Sequence, residues 1–139
     1  MKPLVRLIYF SSAVREMTLA DMQEILEVAR SNNQKNGLCG MLCYDNQFFL
    51  QVLEGSRENV NELMFKIAED PRHADLVIAS YDYIEKTTFD SWDMGYSGSS
   101  PHLEKVLAKL NQTQFDPNEL PPQHLHAILK QMSSNQESI

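Results

Sequence analysis

The chain has 139 residues, of which 42% are hydrophobic and 22% charged, with a formal net charge of -7 and a pI near 5.0. This composition is typical of one globular domain with its own core, and the acidic balance argues against nucleic acid or an anionic membrane as a partner. There is no apolar run of about 20 residues and no signal peptide, so we predict a soluble, cytoplasmic protein.

The first half of the chain alternates between strand and helix patterns. Residues 3–12 alternate in polarity as a first strand does, and Thr18 with Asp21 predicts the start of a helix. Apolar residues at helical spacing then form one face, listed as Leu19, Met22, Ile25, Leu26 and Ala29. Stop and turn residues follow at Asn32, Asn33 and Asn36-Gly37, and we predict a helix end near residues 31–33. Residues 38–45 and 47–54 are predicted to form a hairpin through Asp45 and Asn46.

The second half of the chain is predicted to contain another helix and two more strands, followed by helical segments. Ser56 is the expected N-cap of a second helix, which ends before Pro71. Residues 76–86 and 92–97 are predicted as the fourth and fifth strands, with Trp92, Met94 and Tyr96 on one face of the fifth. Residues 101–111 and 125–132 then have helical periodicity.

The order βαββαββ predicts an α+β fold of ferredoxin-like type. Its five-stranded mixed sheet carries two helices on one face, and further C-terminal helices follow. We expect the first and third strands to be central neighbours that run parallel. The amphipathic face of residues 101–111 is expected either to cover the free face of the sheet or to join another subunit.

The two cysteines, Cys39 and Cys43, lie four residues apart in one predicted strand. That spacing separates them by roughly 13 Å along the strand, whereas a disulfide needs Cα atoms within about 7 Å. Two thiols without nearby histidines also make a poor metal site. We therefore expect small core-filling residues, with neither a disulfide nor a metal.

One polar residue stands out in the apolar third strand. Gln51 shares a strand face with Phe49 and Leu53, and Tyr9 shares a face with Val5 and Leu7 of the first strand. A buried amide is costly unless it is hydrogen-bonded. From polarity alone, Tyr9 and Gln51 either bond each other or bind a ligand together.

Two asparagines lie near the predicted end of the first helix. Asn32 and Asn33 are either helix caps or part of a polar edge beside Gln51. A slot between helices that carry Ile25 and Ile67 would suit a flat ring with one hydrogen-bonding edge, such as a flavin or a pterin.

Four segments together resemble a known family. They are RLIYFSS near the start, RSNNQKNGLCGMLCYDNQFFLQVLEG, EDPRH and FDSWDMGY. Their order, spacing and residue types are similar to those of BLUF domains, which sense blue light with a flavin. The resemblance runs from about residue 4 to residue 98.

The resemblance implies roles for individual residues. Tyr9 matches the tyrosine that gives an electron and a proton to the excited flavin, and Gln51 the glutamine between that tyrosine and the ring. Trp92 and Met94 match the pair associated with signalling. The residues expected at the cofactor are Tyr9, Ile25, Asn32, Asn33, Phe49, Gln51, Lys66, Ile67, Asp70, Arg72 and His73.

The outer positions also have ordinary structural explanations. Lys66 and Arg72 are often solvated charges in proteins, and His73 could cap a loop. Trp92 could be a core residue, and Met94 a flexible gap-filler. We find no arrangement of a nucleophile with a general base.

The resemblance implies a blue-light photoreceptor that binds flavin non-covalently, is not an enzyme and signals to a partner protein. FAD is the expected cofactor, with FMN and riboflavin as alternatives, and a homo-oligomer is expected. Residues 1–98 are predicted to be the photosensory unit and residues 99–139 a helical extension of the same domain. The alternatives are a flavin-free interaction module with the same fold and a small flavin enzyme.

Overall fold

The computed structural model describes residues 2–90, 93–137 and 139. Its strands are β1 (Leu4–Ala13), β2 (Cys39–Tyr44), β3 (Phe48–Ser56), β4 (His73–Ile84) and β5 (Gly95–Gly98). Its α-helices are α1 (Leu19–Asn36), α2 (Arg57–Ala68), α3 (Pro101–Lys109) and α4 (Pro122–Met132), with a 3-10 turn at Pro117–Glu119. The predicted order βαββαββ followed by helices is confirmed.

All five strands form one mixed sheet in the order β4-β1-β3-β2-β5. Strands β1 and β3 are the central neighbours expected, but they run antiparallel, so the predicted parallel direction is wrong. The reason is the tight β2–β3 hairpin. Helix α1 returns the chain so that β2 runs with β1, and the hairpin then reverses β3 into the space between them. Among the described residues, one pairing is parallel, and it joins β2 to β5.

The sheet separates two apolar cores. Alternate side chains of β1 and β3 point to opposite faces, as the alternation predicted. One core contains Val5, Leu7 and Leu53 and is covered by α1 and α2. The other contains Ile8, Leu50 and Val52 and is covered by α3, α4 and the loop that carries Phe89. Both faces of β3 are therefore buried, which explains why its residues are apolar on both sides.

Helix α1 begins where the sequence predicted and ends later. The Thr18 side chain accepts from the Asp21 backbone N–H while the Asp21 carboxylate accepts from the Thr18 N–H, which completes a capping box. The predicted end near residues 31–33 is wrong, because the helix continues to Asn36. Gly37 adopts a φ of 67° and donates to the Asn33 carbonyl, so the left-handed stop lies at the Asn36-Gly37 pair and not at Asn32 and Asn33.

Two further expectations need correction or lie outside the described residues. Leu19 belongs to the predicted apolar face of α1 but is 62% exposed, because it lies in the first turn, beyond the edge of the core. The fifth strand begins at Gly95 and not at residue 92. Trp92 lies outside the described residues, while Met94 and Tyr96 share the core under α1 and α2.

Among the described residues, no helix combines the length and the apolar character that crossing a membrane requires.

Candidate functional site

The centre of the site is a hydrogen-bonded pair on adjacent strands. Tyr9 of β1 and Gln51 of β3 lie directly opposite each other in the antiparallel register. Both side chains point to the face covered by α1 and α2, and both are buried. The Tyr9 hydroxyl donates to Gln51 Oε1 at 2.5 Å. Sheet register therefore brings together the two polar groups that the sequence singled out.

The other end of the Gln51 amide points to Met94. Gln51 Nε2 lies 3.4 Å from Met94 Sδ, within the range of a hydrogen bond to sulfur. A thioether accepts weakly and has no hydrogen to donate. The two ends of the amide therefore face groups of opposite character: a hydroxyl that donates and a sulfur that only accepts.

Burial sets the protonation state of Tyr9. Removal from water raises the pKa of the Tyr9 phenol well above its ordinary value, and the carboxylate of Asp70 raises this pKa further. The hydroxyl therefore keeps its proton at physiological pH. In this structure the Tyr9 hydroxyl donates, and the Gln51 oxygen rather than the nitrogen faces it.

A cleft opens beside this pair, between α1 and α2. Its volume is about 310 Å³, at the lower end of the roughly 300–1,000 Å³ typical of small-molecule sites. Ile25 from α1 and Ile67 from α2 lie on its walls, and Tyr9 and Gln51 lie at the sheet. Ten of the eleven residues predicted at the cofactor line it: Tyr9, Ile25, Asn32, Phe49, Gln51, Lys66, Ile67, Asp70, Arg72 and His73.

Each charged residue of the cleft lining among Lys66, Asp70 and Arg72 has an ion-pair partner. Arg72 Nη2 lies 2.8 Å from Asp70 Oδ2, and Arg72 Nε lies 3.0 Å from Asp70 Oδ1, a two-pronged ion pair. Arg72 holds the pKa of Asp70 below its ordinary value. Lys66 lies 3.8 Å from Glu62 one helical turn away. These side chains could meet the polar end of a ligand.

His73 lines the cleft and connects three elements of the fold through its contacts. Its Nε2 lies 2.7 Å from the Ile67 carbonyl, which can only accept, so Nε2 carries a hydrogen. Its Nδ1 lies 2.7 Å from the Ser11 hydroxyl. The ring stands edge-on to Tyr9 and Phe49, with centroids 6.3 and 6.1 Å away. His73 thus joins β1, α2 and β4 behind the Tyr9 ring.

The two asparagines of α1 are placed differently from each other. Asn32 lines the cleft and accepts from the Asn36 side chain at 2.9 Å. Asn33 is fully buried and does not line the cleft, and its Nδ2 donates to the Asp93 carbonyl at 2.7 Å. Within the described part of the chain, Asn33 Oδ1 is a buried acceptor without a donor. A buried unpaired oxygen is costly, so it marks where a ligand donor would be favourable.

Sequence analysis did not assign four apolar cleft residues to the site: Val28, Ala29, Leu42 and Leu63. Helical spacing could have identified three of them, because Val28 and Ala29 follow Ile25 by three and four residues and Leu63 precedes Ile67 by four. Leu42 had no local signal. It is found only from the register, which places it opposite Gln51 on β2.

These features fit a flavin ring. The cleft lining combines aliphatic side chains of α1 and α2 with the hydrogen-bonding amides of Gln51 and Asn32. The unsatisfied Asn33 oxygen is a further acceptor on α1, next in sequence to Asn32. Lys66, Asp70 and Arg72 provide polar contacts for a more hydrophilic tail.

Comparison with protein families gives one match. Residues 4–95 match the family model BLUF, described as sensors of blue-light using FAD. This match includes every residue predicted at the cofactor, and Trp92 and Met94 as well.

Similar curated proteins are light-regulated and much longer. The chain is 32% identical over 113 residues to photoactivated adenylate cyclase subunit beta of Euglena longa, covering 77% of this chain and 13% of that protein. It is 30% identical over 86 residues to the blue light- and temperature-regulated antirepressor BluF of Escherichia coli K12, covering 62% of this chain and 21% of that protein.

Two solved structures are similar over almost their whole length. The photo-activated state of BlsA has a TM-score of 0.91 at 32% identity, covering 98% of this chain and 99% of that one. The dark-state structure of BlrB, a BLUF protein, has a TM-score of 0.81 at 27% identity, covering 96% and 98%. The ferredoxin-like α+β architecture is thus shared with both.

Proposed function

Because this chain belongs to the BLUF family of blue-light sensors that use FAD, we propose that Tyr9 and Gln51 convert absorption of blue light by the bound FAD into a change at Met94. The observation that carries this proposal is the Gln51 amide, held between the Tyr9 hydroxyl and the Met94 sulfur. When bound, FAD supplies the absorption of blue light and an electron-accepting excited state. The remaining steps of the proposal are assigned to residues of the chain.

Tyr9 is the proposed donor of an electron and a proton. Its raised pKa keeps the proton on the hydroxyl in the dark. The 2.5 Å bond to Gln51 Oε1 gives that proton a path as the electron leaves. When the charges recombine, the proton and the electron return to Tyr9, so no net redox change remains.

Gln51 is the proposed switch. Its oxygen and its NH₂ group have almost the same shape and opposite hydrogen-bonding character. If the amide ends reversed, an oxygen would face Met94 Sδ, and neither atom has a hydrogen to share. The Gln51–Met94 bond would then be lost, and a buried hydrogen bond is expensive to lose. The two amide orientations therefore differ in how firmly Met94 is held.

The outer residues have proposed supporting roles. We propose that Ile25 and Ile67 sandwich the ring, that Phe49 packs beside it and that Asn32 and Asn33 bond its polar edge. Lys66, Asp70, Arg72 and His73 would contact its exposed end, and Trp92 would act together with Met94.

We propose that the signal leaves this protein through contact with a partner protein. The relatives include proteins named as an adenylate cyclase subunit and as an antirepressor, and the chain spans 13% and 21% of their lengths. We propose that this chain acts as a sensor and not as an enzyme, in the cytoplasm, and that it self-associates and signals to a partner. Free, buried Cys39 and Cys43 suit a reducing compartment.

Tyr9→Phe tests the mechanism. The variant should still bind FAD, because the ring and the cleft walls remain, but it should lose the red-shifted absorption that blue light produces. The measurement is the visible spectrum before and after illumination. Tyr83→Phe removes a hydroxyl that bonds Arg57 outside the cleft and should keep the shift. A normal light-induced shift in Tyr9→Phe would overturn the proposal.

A further inference from the structure

The outer edge of β5 is covered by residues 135–137, which we call the edge segment. β5 is the last strand of the sheet, so every second residue points its backbone groups away from β2. The edge segment satisfies these groups. Glu137 N–H donates to the Tyr96 carbonyl at 2.9 Å, and Gln136 Oε1 accepts from the Tyr96 N–H at 3.2 Å. Glu137 Oε2 accepts from the Gly98 N–H at 2.5 Å.

Only one of these three bonds joins backbone to backbone. In the other two, side-chain oxygens take the place that strand carbonyls would have in a sheet ladder. The segment therefore imitates a paired strand with fewer main-chain bonds. A true extended peptide could replace all three bonds with main-chain groups, as happens when peptides add to a sheet edge.

Two glycines shape the edge for this cover. A Cβ placed on Gly98 would lie 2.7 Å from Glu137 Oε2, closer than real Cβ contacts. A Cβ on Gly95 would lie 2.6 Å from Gln136 Oε1 and 2.7 Å from Met41 Sδ. The close approach of both side chains thus depends on bare backbone in β5.

The covered edge of β5 begins next to Met94, which contacts Gln51, the proposed switch. Met94, whose sulfur faces Gln51, directly precedes β5. Arg30 of α1 connects Met94 to Ile139. Its Nε donates to the Met94 carbonyl at 3.0 Å and its Nη1 to the Ile139 carbonyl at 3.1 Å. A shift of Met94 therefore moves both Arg30, which bonds Ile139, and β5, which bonds residues 136 and 137.

We propose that the outer edge of β5 is a docking edge for an extended segment of a partner protein, which the edge segment occupies as a built-in competitor. The partner segment would supply acceptors to the Tyr96 and Gly98 N–H groups and a donor to the Tyr96 carbonyl. Loss of the Gln51–Met94 bond in light frees β5 from its cover. The light dependence rests on the proposed function, whereas the docking edge does not.

Amide hydrogen exchange tests the uncovering. The full chain loaded with FAD is compared in darkness and under continuous blue light. Exchange at the Tyr96 and Gly98 amides should become about tenfold faster in light, since both lose their acceptors. The visible spectrum is recorded on the same sample. A red shift with unchanged exchange at both amides overturns the light-driven uncovering and leaves the photoreceptor proposal intact.

A peptide tests the docking edge without light. The probe is a fluorescently labelled peptide with the sequence of residues 133–137, SSNQE. The full-length double variant Gln136→Ala/Glu137→Ala should bind it in darkness at least about tenfold more tightly than wild type, because the competing oxygens are gone. Ser134→Ala is the matched control: its hydroxyl bonds only the Gln131 carbonyl among the described contacts, so binding should equal that of wild type.

The outcomes are separable. Failure of the double variant to bind the peptide overturns the docking edge. Dimerisation of the double variant in gel filtration that excess peptide reverses assigns the edge to a second copy and overturns the partner assignment. Peptide binding by the double variant in a protein that shows no red shift supports the docking edge while the proposed photoreceptor function fails.

Discussion

Glu54 is a fully buried carboxylate whose partners include residues from two distant parts of the chain. Its Oε2 accepts from Arg6 Nε at 2.7 Å, and its Oε1 accepts from the backbone N–H groups of Thr88 and Phe89, each at 2.8 Å. Arg6 also reaches the Thr88 hydroxyl at 2.6 Å. This residue ties the loop between β4 and β5 to the centre of the sheet.

Removal of this carboxylate should be costly. Glu54→Ala leaves the Arg6 charge and two backbone donors without their acceptor, which typically costs about 3–5 kcal/mol. Denaturant unfolding followed by circular dichroism measures the loss. Glu58→Ala removes an exposed carboxylate paired with Arg57 and should change stability by less than about 1 kcal/mol. Equal effects of the two substitutions would show that the Glu54 cluster does not anchor the loop.

Helix α4 covers the sheet face opposite to the cleft, and it places His126 against that loop. The His126 ring stands edge-on to Phe89, with centroids 6.0 Å apart. Its Nε2 is buried and finds no hydrogen-bond partner within the described residues. Burial lowers the pKa of His126, and the charges of Arg6 and Lys130 lower it further, whereas Glu54 raises it. The helix therefore docks with His126 neutral.

This contact predicts a pH dependence of stability. In the unfolded chain a histidine has a pKa of about 6.5. Below that pH the unfolded chain binds a proton that folded His126 does not, so the free energy of unfolding falls as the pH drops from 7 to 5. His126→Gln should make this fall shallower, which chemical denaturation at several pH values measures. Identical slopes for the variant and wild type would contradict the prediction.

At the scale of the whole molecule, one sheet serves two cores. Leu26 of α1 is fully buried in the core on the cleft side, and Ile128 of α4 is fully buried in the other. Neighbouring residues of β1 and β3 contribute to both. Because neither core can be lost without exposing one face of the same strands, residues 99–139 should unfold together with residues 1–98.

Paired substitutions test this division of the chain. Ile128→Ala and Leu26→Ala should each lower the free energy of unfolding by about 2–5 kcal/mol, since each leaves a cavity in a close-packed core. In both variants, flavin release and loss of helical circular dichroism should occur in one transition. If Ile128→Ala melted helical signal before flavin was released, residues 99–139 would be a separate unit.

Local chemistry allowed much of this protein to be predicted from its sequence. Alternation of side chains identified the strands, helical spacing and the Thr18 and Ser56 caps identified the helices, and Asp45 with Asn46 identified the hairpin. The family resemblance named ten of the fourteen residues that line the cleft, and of the cofactor residues it named only Asn33 does not line it. These signals act between residues close in sequence or are carried by a family pattern of fixed spacing.

Only the tertiary structure decided the rest, because it depends on contacts between residues far apart in the chain. The hairpin reversal placed β3 between β1 and β2 and made β1 and β3 antiparallel. The partner of the Gln51 nitrogen, Met94, lies 43 residues away, and the Glu137 carboxylate reaches Gly98 across 39. Tyr9 and Gln51 are polar residues in the sequence, and the sheet register is what makes them one hydrogen-bonded pair at the wall of a cleft.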